Sequence, residues 1–112
     1  MAALSATTPT RGGTTTSGSA VASTDTIART LLGSRGAYLE IINGNASSDT
    51  VSISDASVSN TGAAATAGGG AVAASTSKIF SIHPQQADPS TGNVTVTHSV
   101  TSTVTYKLYP LG

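Results

Sequence analysis

The stretch Asn93-Val-Thr-Val-Thr-His-Ser-Val-Thr-Ser-Thr-Val-Thr-Tyr-Lys-Leu-Tyr109 alternates β-branched apolar residues with threonine and serine. A period of two in residues of this kind makes a strand with one buried face and one wet face. The wet face carries hydroxyls in place of charges. Another protein can cover hydroxyls at far lower desolvation cost than carboxylates or ammonium groups. Such a surface suits packing against other subunits and points away from catalysis.

Composition carries the same message along the rest of the chain. The 112 residues are enough for one small domain. Serine and threonine make up about a third of them, and charged residues only 9%, against a norm of roughly 25%. Five basic residues (Arg11, Arg29, Arg35, Lys78, Lys107) balance five acidic ones (Asp25, Glu40, Asp49, Asp55, Asp88). A neutral chain has no electrostatic reach for nucleic acid or an anionic membrane, so neither is an expected partner. It also lacks the repulsion that disperses free monomers, which favours life inside an assembly. With no cysteine, disulfides and thiolate metal sites are excluded. The first residues lack a basic segment followed by an apolar core, so the expectation is synthesis in the cytoplasm without a secretory signal.

Residues 1–24 are rich in Ser, Thr and Gly without periodicity, and read as an extended N-terminal arm; residues 25–112 read as the domain. Thr26–Leu32 is a short strand or one helical turn. Ala37–Ile42 is a strand with Ala37, Leu39 and Ile41 on one face and Tyr38, Glu40 and Ile42 on the other. Asn43–Asp49 is a strong turn signal, and Thr50–Ser54 returns with Val51 and Ile53 inward, so the pair reads as a hairpin with a longer loop. Residues 55–71, ending in Gly68-Gly69-Gly70, read as a loop or second extension. Val72–Ala74 and Lys78–Ile82 carry strand character, and His83-Pro84 ends the latter because proline removes a ladder donor. Asp88-Pro89-Ser90-Thr91-Gly92 is a turn. A strand through Val94 and Val96, a bend near Ser99–Ser102 and a last strand through Val104, Tyr106 and Leu108 complete the chain, with His98 in this final hairpin.

About six strands and no firm helix predict an all-β fold, a small antiparallel β-sandwich or barrel in which sequential strands pair. The predicted core is Leu39, Ile41, Val51, Ile53, Phe80, Ile82, Val94, Val96, Val104, Tyr106 and Leu108.

Candidate chemistry is sparse. His83 and His98 are read as surface or edge histidines, since their spacing demands no third metal ligand. No Gly-x-Ser-x-Gly elbow marks a nucleophile. Asp49 and Asp55, six apart, share a face on an unbroken strand but read as turn residues flanking it. The Gly68–Gly70 run lacks the Lys-Ser/Thr of a phosphate cradle. Asn45-Ala-Ser47 and Asn93-Val-Thr95 match the glycosylation sequon by chance. No catalytic, cofactor-binding or metal residue is expected, and the chain does not read as an enzyme. Tyr106 is in phase with the core; Tyr38 and Tyr109 are the candidates for a contact surface.

The combination of Gly36-Ala-Tyr-Leu-Glu-Ile-Ile-Asn-Gly44, Asp49-Thr-Val-Ser-Ile-Ser-Asp55 and Asp88-Pro-Ser-Thr-Gly-Asn-Val-Thr-Val-Thr-His-Ser99 resembles small head proteins encoded with the capsid genes of tailed bacteriophages, especially those of actinobacteria. The likeness spans residues 25–109 and is one of pattern. It implies a capsid decoration (cement or minor capsid) protein on the outside of an icosahedral shell, located on the virion. Its implied partners are the major capsid protein and further copies of itself, as a homo-oligomer or as many copies on the lattice. The family offers no catalytic residues to carry over. Two other readings stay open: a carbohydrate- or receptor-binding β-sandwich centred on Tyr38 or Tyr109, and a tail or head–tail joining protein.

Overall fold

A computed structural model describes residues 2–14, 18–58 and 61–111; Met1, Thr15–Ser17, Ser59, Asn60 and Gly112, which fall within the expected arm, the 55–71 loop and the end of the domain, lie outside the described residues. The chain forms a two-layer β-sandwich, as the alternating pattern predicts. Its strands are β1 (Ala2–Ala3), β2 (Ser19–Ala20), β3 (Thr24–Ala28), β4 (Ala37–Asn43), β5 (Asp49–Ile53), β6 (Gly68–Val72), β7 (Thr76–Ile82), β8 (Asn93–His98) and β9 (Val104–Pro110). A single helical turn, α1 (Arg29–Leu32), follows β3, and a 3₁₀ turn over Pro84–Gln86 follows β7.

One sheet, here sheet A, has the order β1-β3-β8-β5-β6; the other, sheet B, runs β2-β9-β4-β7. All pairs are antiparallel except β1 with β3. The inward residues are those the period-two pattern selects. Leu39, Ile41, Ile82, Val94, Val96 and Leu108 are wholly buried, and Val51, Ile53, Val104 and Tyr106 nearly so. Phe80 is the exception among the predicted core residues, being only half-buried on edge strand β7. The core also takes in Ile27, Leu32, Ala37 and Val72, and two residues of the leading segment, Leu4 and Val21.

Three expectations are corrected. The first concerns strand pairing. Strands β4 and β5 do not form a hairpin: β4 pairs with β7 and β9, whereas β5 pairs with β6 and β8. The segment between them passes from one sheet to the other. Buried Asn43 holds this corner, donating from Nδ2 to the carbonyls of Ser47 (2.9 Å) and Val72 (3.0 Å) and accepting at Oδ1 from the Asn45 N–H (2.9 Å). Strands β8 and β9 likewise belong to different sheets, so His98 lies in no final hairpin. Turn residues specify where a chain reverses and leave open which strand it then meets.

The second correction concerns Gly68–Gly70, expected in a loop. They form most of β6, paired with β5. Gly69 adopts φ +108° and lies against the Val51 carbonyl, where a Cβ would collide with backbone. Glycine is therefore required by close approach at this edge strand.

The third concerns the N-terminal arm. The leading segment returns to its own body. Strand β1 adds to β3, the Leu4 N–H donates to Thr26 O (2.8 Å), Thr7 N–H donates to Leu108 O (2.6 Å), and β2 adds to β9. Tyr106 Oη accepts from the Ser5 N–H at 2.9 Å. Each of these segments covers a sheet edge and contributes one apolar side chain, Leu4 or Val21, to the core. Residues 8–14 between them stand off as an exposed loop.

Candidate interaction surface

The molecule is a slab of 42 × 36 × 20 Å, so its broad surfaces are the outer faces of the two sheets. The strand registers fix what each face presents. On sheet A, Thr24 lies opposite Thr97 and Thr97 opposite Ser52, while Thr26 lies opposite Thr95. Thr50 and Asn93 belong to the same face, and none of these residues is charged. Threonine and serine satisfy the alternation, resist helix formation through β-branching or backbone competition, and leave a surface of hydroxyls.

Sheet B presents a different face. Its residues from β4 are Tyr38, Glu40 and Ile42. Tyr109, Lys107 and Thr105 of β9 lie opposite these on one side, and Ser81, Ile79 and Ser77 of β7 on the other. Tyr38 is 45% exposed and Ile79 61% exposed, and the two are diagonal neighbours. Tyr38 and Tyr109 are a directly opposed cross-strand pair. The only charged side chains on this face, Glu40 and Lys107, stand opposite each other, so their fields largely cancel. Aromatic and aliphatic side chains held on a rigid sheet, with little charge to desolvate, are what protein contacts are built around.

The Tyr109 hydroxyl donates to Glu40 Oε1 at 3.3 Å. Partial burial, the negative charge of Glu40 and this hydrogen bond together raise its pKa above the usual tyrosine value of 10.0. A raised value means that the neutral phenol favours the folded state. That contribution is full below pH 10 and is lost as pH rises through the folded value. In an alkaline absorbance titration assigned with Tyr109→Phe, the Tyr109 phenolate should form above the ordinary range. Glu40→Gln should move it back down; an unmoved titration would show that the two groups do not interact in solution.

No family model, curated protein or solved structure matches this chain. Its chemistry must therefore be read from its own residues.

The interior holds one buried histidine–carboxylate contact among the described residues. His98 Nδ1 lies 2.7 Å from Asp49 Oδ2, with both side chains almost wholly buried. Asp49 Oδ1 accepts from the N–H groups of Ser99 (3.0 Å) and Val100 (3.1 Å). This arrangement corrects the reading of His98 as a surface or edge residue and of Asp49 as a turn residue. His98 is in phase with Val94 and Val96, and Asp49 with Val51 and Ile53, so the same alternation that found the core places both inward. The pair ties β5 to the bend after β8. Ser99 Oγ accepts from the Thr50 N–H at 2.7 Å, a second tie between this bend and β5.

The remaining candidates do not converge. Asp55 Oδ1 accepts from the N–H and hydroxyl of Ser57, closing a local turn, and does not join Asp49. His83 is exposed beyond β7. Among the described residues no group of three or more His, Cys, Asp or Glu side chains could hold a metal ion. No helix among the described residues is long and apolar enough to cross a membrane. A depression of about 520 Å³ lies between Arg29, Ala56, Val58, Pro84 and Pro89, and its only ionisable side chain is Arg29. It lacks an acid–base pair. Asp25 is wholly buried; its Oδ2 accepts from the Ala22 N–H at 3.0 Å, helping to seat the leading segment, and its Oδ1 has no partner among the described residues.

Proposed function

We propose that this chain is a structural virion protein that binds the outer surface of a phage capsid and stabilises the shell. Two observations support the reading. The likeness of residues 25–109 to small head proteins of tailed phages supplies the setting. The outer face of sheet B, with Tyr38 and Ile79 exposed beside a self-cancelling Glu40–Lys107 pair, supplies a contact surface. The latter carries the proposal, because it is a site built for packing in a chain without a converging catalytic set among its described residues.

The mechanism follows from linkage. A ligand that binds only the assembled lattice stabilises that lattice by mass action. Many copies, each touching adjacent subunits, add up along the shell. Residues 2–7 and 18–23 are already bound to the chain's own sheets, so docking is assigned to the sheet B face and not to a free arm. The exposed loop 8–14 remains free for a secondary contact. Immunogold labelling of virions from the phage that encodes the chain should decorate the head. Label confined to the tail would replace this reading with a tail or joining protein.

The opposed Tyr38–Tyr109 pair also favours a second reading, an aromatic platform for a carbohydrate. A glycan array should then show binding that Tyr38→Ala abolishes; an array without hits removes it.

A further inference from the structure

Strand β7 is the free edge of sheet B, and it carries two apolar side chains that the fold leaves incompletely covered. Ile79 is 61% exposed and Phe80, in phase with the core, is only half-buried. Among the described residues β7 pairs with β4 alone. A seven-residue edge without proline is a template for another strand.

We infer that β7 pairs antiparallel with β7 of a second copy, about a two-fold axis at Ile79, to give one continuous eight-stranded sheet. The sequence of the edge selects both the partner and the register. Thr76-Ser77-Lys78-Ile79-Phe80-Ser81-Ile82 has Ile79 at its centre, so only this axis pairs all seven residues. On the outer face Ile79 then meets Ile79 of the second copy, and each Ser77 meets a Ser81. On the inner face each Lys78 lies opposite a Phe80, where the aliphatic lysine stem covers the half-buried ring. Moving the axis to Lys78 would set the two lysines opposite each other and leave Ser81 and Ile82 without strand partners. Lys78 Nζ is held by the carbonyl of Ala71 on β6 at 2.9 Å, which turns its charge across the open side of the sandwich and clear of the edge itself. An isologous contact of this kind closes on itself as a dimer and does not propagate into a fibre. The two Tyr38–Tyr109 faces come to lie side by side, doubling the surface described above. The dimer stands independently of whether the chain binds a shell, and it is measured without one.

Analytical ultracentrifugation of the full chain should show a monomer–dimer equilibrium. Ile79→Lys removes one apolar contact from each copy and adds facing charges, and should weaken association at least 100-fold. Because the natural chain has no cysteine, single substitutions map the register. Ile79→Cys should form a disulfide-linked dimer on mild oxidation, since directly opposed Cβ atoms lie about 4.5–5.5 Å apart. Ser77→Cys alone should not cross-link, but should do so when mixed with Ser81→Cys. A wild-type chain that stays monomeric, an Ile79→Lys variant that associates like wild type, or Ser77→Cys cross-linking as readily as Ile79→Cys would each overturn the proposal.

Discussion

Replacing Asp49 with alanine is expected to destabilise the fold by about 2–4 kcal/mol, the cost of leaving buried hydrogen-bonding groups at His98, Ser99 and Val100 without their partner. The substitution removes the acceptor of three hydrogen bonds at once and leaves His98 buried without its partner. It also frees the Ser99 and Val100 N–H groups at the bend that carries the chain from β8 in one sheet towards β9 in the other. For a domain of this size a loss of about 3 kcal/mol lowers the melting temperature by roughly 12 °C or more. Asp49→Asn keeps the acceptor oxygen for both N–H groups, and its amide can donate to the other His98 tautomer, so its cost should stay near 1–2 kcal/mol. Urea unfolding of both variants checks this. Equal losses would show that charge, rather than acceptor geometry, holds the bend; negligible loss from Asp49→Ala would mean the pair is unimportant.

The second large effect is expected in the leading segment. Leu4→Ala should cost about 2–3 kcal/mol, towards the low end for a buried leucine because Leu4 covers a sheet edge. Deleting residues 1–23 should do more. It uncovers the edges of β3 and β9, deprives the Tyr106 hydroxyl of its donor, and removes Val21 from the core. The shortened chain should melt at lower temperature and be cut faster by protease within residues 24–111. A free arm would behave oppositely, because its removal would leave melting unchanged while lowering capsid occupancy. Thermal unfolding of the shortened chain separates the two.

These two sites also show what the sequence made legible and what it did not. Period two in 37–42, 50–54, 78–82 and 93–109 located the main strands and the larger part of the core, because burial on one face of a strand leaves a direct mark on composition. His98 and Asp49 carry the same phase, yet their polarity masked it: a buried polar side chain is recognisable only through its partner, and the partner is 49 residues away. Leu4 and Val21 are single apolar residues in Ser/Thr-rich surroundings, and a two-residue strand has too few positions to show a period. The glycines of β6 illustrate a further limit. Their role comes from the approach of the Val51 carbonyl, a contact between segments that local propensity does not encode. Strand partners were hidden for a similar reason, since Asn43 turns β4 into a crossing by bonding to β6 far along the chain. On the surface, the sequence marked Tyr38 and Tyr109 as contact candidates. That they form one face with Ile79 follows only from the register of β4 with both neighbours.

The proposed docking through the sheet B face is most directly tested by co-sedimentation of the chain with assembled capsid shells of the phage proposed to carry it, at concentrations low enough to keep the chain monomeric. Wild type should pellet with shells and not with unassembled subunits, and Tyr38→Ala, which removes an exposed ring without touching the core, should lower the affinity at least tenfold. A wild-type chain that stays in the supernatant, or a Tyr38→Ala variant that pellets as wild type does, would contradict the account.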